Sequence, residues 1–342
     1  MDISWKNPNS SQTAPHTFNT TTTGKWTRRL LRLPPWPNHI LGPSPSSSSS
    51  FPPSLLALSY LLPYSTDFRL PFIVTSCSRP SPTATTKATP TAEPEFRLLV
   101  GIHTVPAKYH RRHALRLAYF LQQQPAAAPT TCLSIRFILC NVTKEEDQLL
   151  VALEIMHHDD IIILNCTESP ERGKTYTYFS SLPAMFEGGE QPPYDYVMKT
   201  DDDTYLRLDE LVKSLKGKAQ RYVYYGTGLP FQDREHPPFM LGMGYILSWD
   251  LVEWIASSEI ARNEPNGIED TLTGKWLNSG DKARIRYNMF PKMDDYRGGE
   301  GKDFEAETIA VHQLKEDLRL VRTLKHFNVT TGLKASKLYH IP

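Results

Sequence analysis

The strongest constraint on this chain is a regular alternation of short apolar runs with segments of helical periodicity, which starts at residue 96. The helical segments carry leucines and alanines at helical spacing, whereas the apolar runs have the length of buried strands. Strands that alternate with helices predict a mostly parallel sheet flanked by crossover helices, and such sheets bind ligands at the carboxyl ends of their strands. The predicted strands span 96–103, 133–140, 160–164 and 194–199, and the predicted helices span 107–123, 144–157, 174–186 and 208–215.

Residues 1–95 have a composition that does not suit a packed core. They contain more than half of the 28 prolines, together with the runs Ser46–Ser50 and Thr20–Thr23. Such a segment buries too little apolar surface to offset the entropy lost when its backbone is ordered. We therefore expect a disordered tail or stalk over 1–95 and a single α/β domain over 96–342.

A cluster of apolar residues at 51–76 is a candidate membrane anchor. A spanning helix needs roughly 20 mostly apolar residues. Two prolines and two charged residues interrupt the cluster: Pro63, Asp67, Arg69 and Pro71. Four basic residues between positions 25 and 32 would orient a weak anchor with its N-terminus in the cytosol. The alternative, a disordered tail with an apolar cluster, fits these residues equally well.

Charge and cysteine content exclude two classes of protein. The 38 basic and 37 acidic residues nearly cancel, which disfavours a nucleic-acid binder. Four cysteines are too few for a disulfide scaffold of 342 residues, and no CxxC pair suggests a zinc site. Cys140 and Cys166 each follow a predicted strand, but a disulfide requires Cα atoms within about 7 Å. The sequence alone favours two free thiols at these positions.

Three adjacent acidic residues, Asp201–Asp203, lie just after the predicted strand 194–199. Adjacent carboxylates repel each other, so a fold has little structural reason to place them at the end of a strand. A divalent cation supplies a reason, because oxygen ligands suit Mg²⁺ or Mn²⁺ and proteins often hold these ions with one or two carboxylates plus substrate phosphates. The alternative is a solvated acidic turn that caps the helix at 208–215.

Three further features follow along the chain. Residues 237–248 are aromatic and interrupted by glycines, which allow close backbone approach or a bend. Glu269 and Asp270 lie at the start of a predicted helix. A favourable interaction with the helix dipole explains one of these two acids, and the other remains available for catalysis. His312 ends a short apolar run, a position at which a lone histidine is usually structural.

Four motifs, in this order and spacing, resemble those of the β-1,3-galactosyltransferase-like glycosyltransferases of family 31, in particular the plant branch. The motifs are KTDDDTYL at 199–206, PPFMLGMGYILS at 237–248, GIEDTLTGKWL at 267–277 and AVH at 310–312. Upstream, RRHALR at 111–116 resembles the arginine-rich first helix of the family, and GKT at 173–175 resembles its lysine–threonine element. The resemblance covers residues 96–330, and the four motifs together are specific where one alone would be weak.

The resemblance implies a GT-A-type fold and an inverting transfer of a hexose, galactose or N-acetylglucosamine, from a UDP-sugar with Mn²⁺, or alternatively Mg²⁺. The implied acceptor is a hydroxyl of a glycan or glycoprotein, the implied linkage is β-1,3, and no nucleic acid takes part. The family also implies a type II protein of the Golgi membrane whose catalytic domain lies in the lumen. Three of the sequons in the sequence, those at Asn141, Asn165 and Asn328, agree with a secretory protein.

The resemblance also implies roles for single residues. Asp203 matches the direct metal ligand, His312 the histidine that completes the metal site, and Asp270 the catalytic base. The remaining residues are expected at the substrate: Asp201 and Asp202 at the ribose and a metal-bound water, Arg112, Arg116 and Lys174 near the nucleotide, and Glu269 as a loop-orienting neighbour of the base. These roles suit inversion, which needs a base for the acceptor hydroxyl and a cation that neutralises the leaving diphosphate.

Two other classes of function stay open on the residues. One is a catalytically silent lectin-like or scaffold protein that keeps the fold, which the joint presence of Asp203, Asp270 and His312 disfavours. The other is a different metal-dependent nucleotide-sugar enzyme, such as a nucleotidyltransferase or a hydrolase. The chain contains no GxxxxGKS/T loop, which disfavours a P-loop enzyme.

Overall fold

A computed structural model of the protein describes residues 94–122, 131–186, 191–296 and 304–329. These residues belong to one compact unit of the chain, Ser65–Pro342. The anchor candidate at 51–76 and the predicted tail up to residue 93 lie outside the described residues. Within the described ranges, none of the helices is both long and apolar enough to cross a bilayer.

Every predicted strand and helix is present in the structure, with its ends shifted by at most two residues. The strands are β1 (Phe96–His103), β2 (Thr131–Leu139), β3 (Ile161–Ile163), β4 (Tyr196–Asp201), β5 (Tyr205–Leu206), β6 (Val223–Leu229), β7 (Phe239–Ser248), β8 (Ile285–Asn288), β9 (Met293–Asp295) and β10 (Ala310–His312). The helices are α1 (Tyr109–Gln122), α2 (Glu145–His158), α3 (Lys174–Met185), α4 (Leu208–Leu215), α5 (Trp249–Ser257), α6 (Glu259–Asn263), α7 (Glu269–Ser279) and α8 (Asp317–His326).

Seven of these strands form the central sheet, in the order β3-β2-β1-β4-β7-β6-β8. Strands β1, β2, β3 and β4 run parallel to one another, and β8 runs parallel to β6. Strand β7 is antiparallel to both β4 and β6. The predicted α/β fold with a mostly parallel sheet is therefore confirmed, with β7 as the antiparallel member.

The central sheet separates two hydrophobic cores. Side chains alternate along a strand, so Val100 and Ile102 of β1 enter the core shared with α1 and α4, whereas Leu99 enters the core shared with α3, α5 and α7. Burial of both faces gives β1 its nearly continuous apolar sequence. A strand buried on both faces cannot slip in register without losing these contacts, so the residues at its carboxyl end are held in place.

A second sheet of three strands, in the order β5-β10-β9, brings a late part of the chain to the acidic triplet. Strand β5 begins two residues after Asp203, and β10 pairs with it in antiparallel fashion, with Val311 opposite Tyr205. The backbone N–H of Leu314 donates to the carbonyl of Asp203 at 2.9 Å. This pairing fixes His312 beside the triplet.

Cys140 and Cys166 form a disulfide, so the prediction of two free thiols at these positions is wrong. Their Cα atoms are 5.0 Å apart. Cys140 directly follows β2 and Cys166 comes shortly after β3, and these two strands are parallel neighbours. Parallel neighbours end at the same edge of a sheet, which places the two cysteines side by side. The sequence did not reveal which strands are adjacent.

Candidate active site

The acidic triplet forms the turn between β4 and β5, at the carboxyl end of a strand that lies beside β1. The backbone N–H of Thr204 closes the turn by donating to the carbonyl of Asp201 at 3.1 Å. The N–H of Asp202 ties the turn to β1 by donating to the carbonyl of His103, also at 3.1 Å. The turn holds three mutually repelling carboxylates, and each of them has a different set of partners.

The carboxylate of Asp202 is buried against the segment that follows β1. One of its oxygens accepts a hydrogen bond from the hydroxyl of Thr104 at 2.7 Å, and the other accepts from the ammonium group of Lys108 at 2.8 Å. Asp202 therefore holds residues 104–108 against the triplet. Its expected contact with the ribose or a metal-bound water stays a prediction.

Asp201, Asp203 and His312 each offer one ligand atom, and these atoms lie within 4.8 Å of one another. Nε2 of His312 is 3.4 Å from Oδ1 of Asp203. Burial disfavours the charged form of Asp203, but the hydrogen bond and charge of His312 outweigh burial and lower the pKa of Asp203. Two carboxylate oxygens and one imidazole nitrogen in this space fit a divalent cation such as Mn²⁺ or Mg²⁺, with room left for substrate oxygens.

Asp295 holds His312 in place, and sequence analysis did not single it out. Nδ1 of His312 lies 2.7 Å from Oδ1 of Asp295, and the two residues are opposite each other in the parallel pairing of β9 with β10. A carboxylate on one ring nitrogen directs the other nitrogen toward a metal. Burial disfavours a charged imidazole, but the carboxylates of Asp203 and Asp295 outweigh burial and raise the pKa of His312. The acid pair Asp294-Asp295 is visible in the sequence, but its pairing with β10 is not.

Lys199 is a buried cation that links the triplet to the start of α7. Its Nζ lies 3.0 Å from an oxygen of Asp201 and 2.8 Å from an oxygen of Glu269, and it donates to the carbonyl of Gly242 at 2.8 Å. Burial alone would lower the pKa of Lys199, but the two carboxylates outweigh burial and raise it, so the group stays charged. Glu269 also accepts a hydrogen bond of 2.5 Å from the hydroxyl of Tyr245. These bonds support the interpretation of Glu269 as a residue that orients the start of α7.

Asp270, the next residue of α7, has a half-buried carboxylate. One oxygen accepts a hydrogen bond from the backbone N–H of Thr271 at 2.7 Å, and the other accepts from the N–H of Gly242 at 3.3 Å. Both donors are neutral backbone groups, so they orient the carboxylate without neutralising it. The carboxylate of Asp270 therefore has a defined orientation at the start of α7, and its expected role as the base stays a prediction.

Two glycines allow α7 to lie close to the strand β7. A Cβ atom at Gly242 would lie 2.9 Å from Oε2 of Glu269, and a Cβ atom at Gly274 would lie 2.5 Å from the carbonyl oxygen of Pro238. A side chain at position 274 would meet backbone atoms, so glycine is required there, whereas a side chain at position 242 would displace the carboxylate of Glu269 from its bonds to Lys199 and Tyr245. The expectation that glycines in 237–248 permit close backbone approach is confirmed at Gly242.

Lys174 and Arg112, two of the three cations expected near the nucleotide, support the backbone after β1. Nζ of Lys174 donates to the carbonyl of Thr104 at 2.6 Å. The guanidinium group of Arg112 donates to the carbonyls of Val105 and Pro106 at 2.7 and 2.8 Å. Both side chains are buried, so they act directly on the position of residues 104–106. Their expected nearness to the nucleotide stays a prediction.

Arg116, the third cation, belongs to a buried ionic cluster shared with Arg112. Its guanidinium group forms a two-point pair with Asp160, at 2.7 and 2.8 Å, and donates to Glu154 at 2.6 Å. Arg112 also donates to Glu154, at 2.9 Å. The cluster joins α1 to α2 and β3, and the role expected for Arg116 at the nucleotide likewise stays a prediction.

Comparison with known proteins identifies the class of protein to which this chain belongs. Residues 110–288 match the family model described as Galactosyltransferase, and the similar curated proteins include galactosyltransferases, so the protein is a glycosyltransferase. Since the matched span covers more than half of the 342 residues, the chain belongs to the galactosyltransferase family. The span contains the acidic triplet, residues 237–248 and Asp270, whereas His312 lies beyond it.

Three relatives show the range of the similarity. Beta-1,3-galactosyltransferase pvg3 of Schizosaccharomyces pombe is 26% identical over 275 residues, which cover 64% of this chain and 71% of the relative. Probable beta-1,3-galactosyltransferase 13 of Arabidopsis thaliana is 30% identical over 201 residues, 52% of this chain and 57% of the relative. Hydroxyproline O-galactosyltransferase GALT2 of Arabidopsis thaliana is 24% identical over 56% of this chain, which spans only 30% of that longer protein.

Similarity to solved structures is low in overall superposition. The galactosyltransferase LgtC, in complex with donor and acceptor sugar analogs, has a TM-score of 0.37 and 10% identity over 71% of this chain and 98% of its own. Mouse xyloside xylosyltransferase 1 has a TM-score of 0.38 and 10% identity over 64% of this chain and 97% of its own. Membership of the family therefore rests on the sequence match alone.

Proposed function

We propose that this enzyme transfers a hexose, galactose or N-acetylglucosamine, from a UDP-sugar to a hydroxyl of a glycan or glycoprotein, with inversion and a β-1,3 linkage. The main support for the proposal is that the acidic side chains of the site form two separate groups, one on each side of Lys199. Asp201 and Asp203 are gathered with His312 within 4.8 Å, whereas Asp270 stands at the start of α7. Inverting transfer needs this division, because the diphosphate must be neutralised while a separate base takes the acceptor proton.

Asp203 and His312 would hold the cation, Mn²⁺ or alternatively Mg²⁺, and Asp201 would complete the protein ligands. The bound ion supplies a Lewis acid for the leaving diphosphate. His312 can ligate only through an unprotonated Nε2. Of its two neutral tautomers, Asp295 favours the one that leaves Nε2 without a proton, because Asp295 accepts the proton of Nδ1 in a hydrogen bond. Asp202 keeps residues 104–108 beside the triplet and so shapes the donor side of the site.

Asp270 is the general base in this proposal. The acceptor hydroxyl gives its proton to a carboxylate oxygen of Asp270 as its own oxygen attacks the anomeric carbon, and the diphosphate leaves from the opposite face. The backbone donors of Gly242 and Thr271 keep the carboxylate oriented. The buried pair of Glu269 and Lys199 keeps the start of α7 fixed relative to the triplet.

We also propose that the enzyme is a type II protein of the Golgi membrane with its catalytic domain in the lumen. The disulfide between Cys140 and Cys166 supports this location, because disulfides persist in oxidising compartments. The anchor in this proposal is the segment 51–76, whose support comes from the sequence.

The test is UDP release from UDP-galactose and UDP-N-acetylglucosamine, with and without a panel of glycan acceptors, in Mn²⁺ and after EDTA. We expect release that needs both an acceptor and the metal. Asp203→Asn should abolish it, whereas Asp209→Asn, at an exposed acid of α4, should not. Release without an acceptor would indicate a hydrolase, UDP binding without turnover a silent protein, and full activity in EDTA a site that needs no metal.

A further inference from the structure

A groove outside the proposed active site runs between the helix α2 and the edge strand β3. It has a volume of about 350 Å³. Its lining is mostly apolar, and consists of Asn141, Val142, Gln148, Val151, Ala152, Ile155 and Ile163. Four of these residues recur at helical spacing on α2, so they form one face of the helix over about 10 Å of its length.

The groove adjoins an unusually exposed apolar surface. Leu149 is 64% exposed, Met156 is 83% exposed, and Ile163 at the end of β3 is 44% exposed. Val151 is the one fully buried residue of α2. Among the described residues, no strand pairs with the outer edge of β3. An apolar helix face beside such an edge favours association with other chains, so proteins usually cover or block it.

The polar end of the groove is a sequon. Asn141 lines the groove, its side chain is exposed, and it begins the sequence Asn141-Val142-Thr143. The carbonyl of Val142 accepts a hydrogen bond of 3.0 Å from the side chain of Gln148, so the backbone beside Asn141 is held against α2. A group attached to the Asn141 side chain would therefore start at the mouth of the groove.

A second sequon competes for the same space. Nδ2 of Asn141 lies 3.2 Å from Oδ1 of Asn165, which is also exposed. The two side chains are within hydrogen-bond distance, so a glycan on either one would occupy space beside the other. Cys166, the central residue of the second sequon, is in the disulfide with Cys140. Asn141 is the member of the pair that lines the groove.

We propose that Asn141 carries an N-linked glycan whose first sugars lie over the groove and shield the edge strand β3. Nδ2 of Asn141 forms a bond to the anomeric carbon of a polyprenyl-diphosphate-linked oligosaccharide, the bond from that carbon to the diphosphate oxygen breaks, and the amide proton leaves to a base. The lipid diphosphate departs with the bonding electrons. The glycan is bulky and solubilising, which suits a surface that would otherwise associate.

Charge disfavours two other occupants of the groove, an anionic membrane surface and a second copy of the chain whose α2 helix lies parallel to this one. The first turn of α2 carries three acidic residues, Glu145, Glu146 and Asp147. Two copies packed with their α2 helices parallel would bring these carboxylates toward each other, and an anionic membrane surface would meet the same repulsion. A neutral glycan attached at the groove meets no such repulsion.

This inference rests on the lumenal location in the proposed function, but not on the transfer reaction. The full chain is expressed in eukaryotic cells, and glycopeptides are mapped by mass spectrometry. Thr143→Ala removes the first sequon and keeps the Asn141 side chain, and Thr167→Ala, the matched control, removes the second. We expect a glycan on Asn141 in the wild-type protein and in Thr167→Ala, and its loss in Thr143→Ala.

The effect on the surface is measured by apolar-dye fluorescence and light scattering. Thr143→Ala should bind more dye than the wild-type protein and should self-associate. Folded wild-type protein treated with peptide N-glycosidase should behave in the same way, and this sample excludes an effect of the missing glycan on folding. An unmodified Asn141, or unchanged dye binding and monomer content after glycan removal, overturns the inference. Glycans on Asn165 or Asn328 alone overturn it but leave the lumenal location intact. No glycan at any sequon overturns both, while UDP release reports separately on the transfer reaction.

Discussion

At the candidate metal site, one hydrogen bond orients the ring of His312 so that Nε2 faces Asp203. Asp295→Asn replaces the carboxylate acceptor of that bond with a neutral amide, which accepts more weakly and can donate to Nδ1 instead, so the tautomer with the proton on Nδ1 is no longer selected. Partners of this kind typically account for a factor of 10–100 in metal affinity. We expect Mn²⁺ affinity, measured by the concentration that half-saturates UDP release, to fall by about that factor. The fold should be unaffected, because the Asp295 side chain is 51% exposed. Wild-type Mn²⁺ affinity in this variant would contradict the positioning role of Asp295.

Local residue patterns singled out the acids, and the family resemblance added His312 as a metal ligand, but neither revealed the groups that support these side chains. A triplet of aspartates at a strand end, an acid pair at a helix start and a histidine after an apolar run are local patterns. Asp295 and Lys199 act through partners that are distant in sequence, His312 and Glu269. Such partners depend on strand pairing, which the local pattern does not contain. The position of a residue in a motif also does not show which groups its side chain contacts. Arg112 and Arg116 were expected near the nucleotide, and in the structure their side chains bond to protein groups.

At the scale of elements, the ionic cluster between α1 and α2 supports the segment that follows β1, and its contribution to stability can be measured. Burial opposes the charged form of Glu154, but Arg112 and Arg116 outweigh it and lower the pKa of Glu154. Its side chain is 13% exposed, and removing one partner of a buried ion pair destabilises a fold by about 3 kcal/mol. We expect Glu154→Gln to lower the free energy of unfolding by about that amount near neutral pH. Glu145→Gln, at an exposed acid of the same helix, should have little effect.

The pH dependence of this effect follows from the lowered pKa. Stabilisation by Glu154 is complete above the ordinary pKa of a glutamate, about 4.3, and is lost as the pH falls through the lower pKa of the folded state. The difference between wild type and Glu154→Gln should therefore shrink in acid. Urea unfolding at several pH values measures it. A difference that stays constant below pH ~4 would show that the carboxylate charge is not what stabilises the cluster.

Hydrophobic periodicity predicted the strands and helices whose apolar residues are regularly spaced, and it missed the others. The apolar runs and helical spacings between residues 96 and 215 gave each strand and helix there to within two residues, except for the two-residue strand β5. Strand β7 was recognised only as a glycine-rich aromatic segment, because its glycines obscure a strand pattern. One of them, Gly242, makes room for Glu269 at the start of α7. The Cys140–Cys166 disulfide was missed for a related reason, since it depends on β2 and β3 being neighbours.

At the scale of the whole molecule, the division of the chain near residue 95 rests on composition. We propose that residues 1–95 lack a packed core and that 96–342 form the catalytic domain. Limited proteolysis of the full chain should remove the first part and leave a product that begins close to residue 96. This product should keep UDP and Mn²⁺ binding. A protease-resistant fragment from the N-terminal 95 residues would contradict the division.

The overall architecture was predictable because alternating strands and helices permit few arrangements. A parallel sheet with a ligand site at its carboxyl edge follows directly from that order. The small sheet of β5, β9 and β10 did not follow, because its strands are two or three residues long and come from distant parts of the chain. That sheet brings His312 to Asp203, so the part of the fold hardest to predict completes the candidate metal site.

The most direct measurement compares Asp270→Asn with Asp203→Asn in acceptor-dependent UDP release and in UDP binding with Mn²⁺. A positioned general base typically contributes about 10²–10⁴ in rate. Asp270→Asn removes the proton acceptor in nearly the same shape, so turnover should fall by roughly that factor while UDP and Mn²⁺ binding stay at wild-type levels. Asp203→Asn should lose binding itself, and Glu269→Gln should reduce turnover far less than Asp270→Asn. Wild-type turnover in Asp270→Asn, or loss of UDP and metal binding in that variant, would contradict the separation of metal site and base.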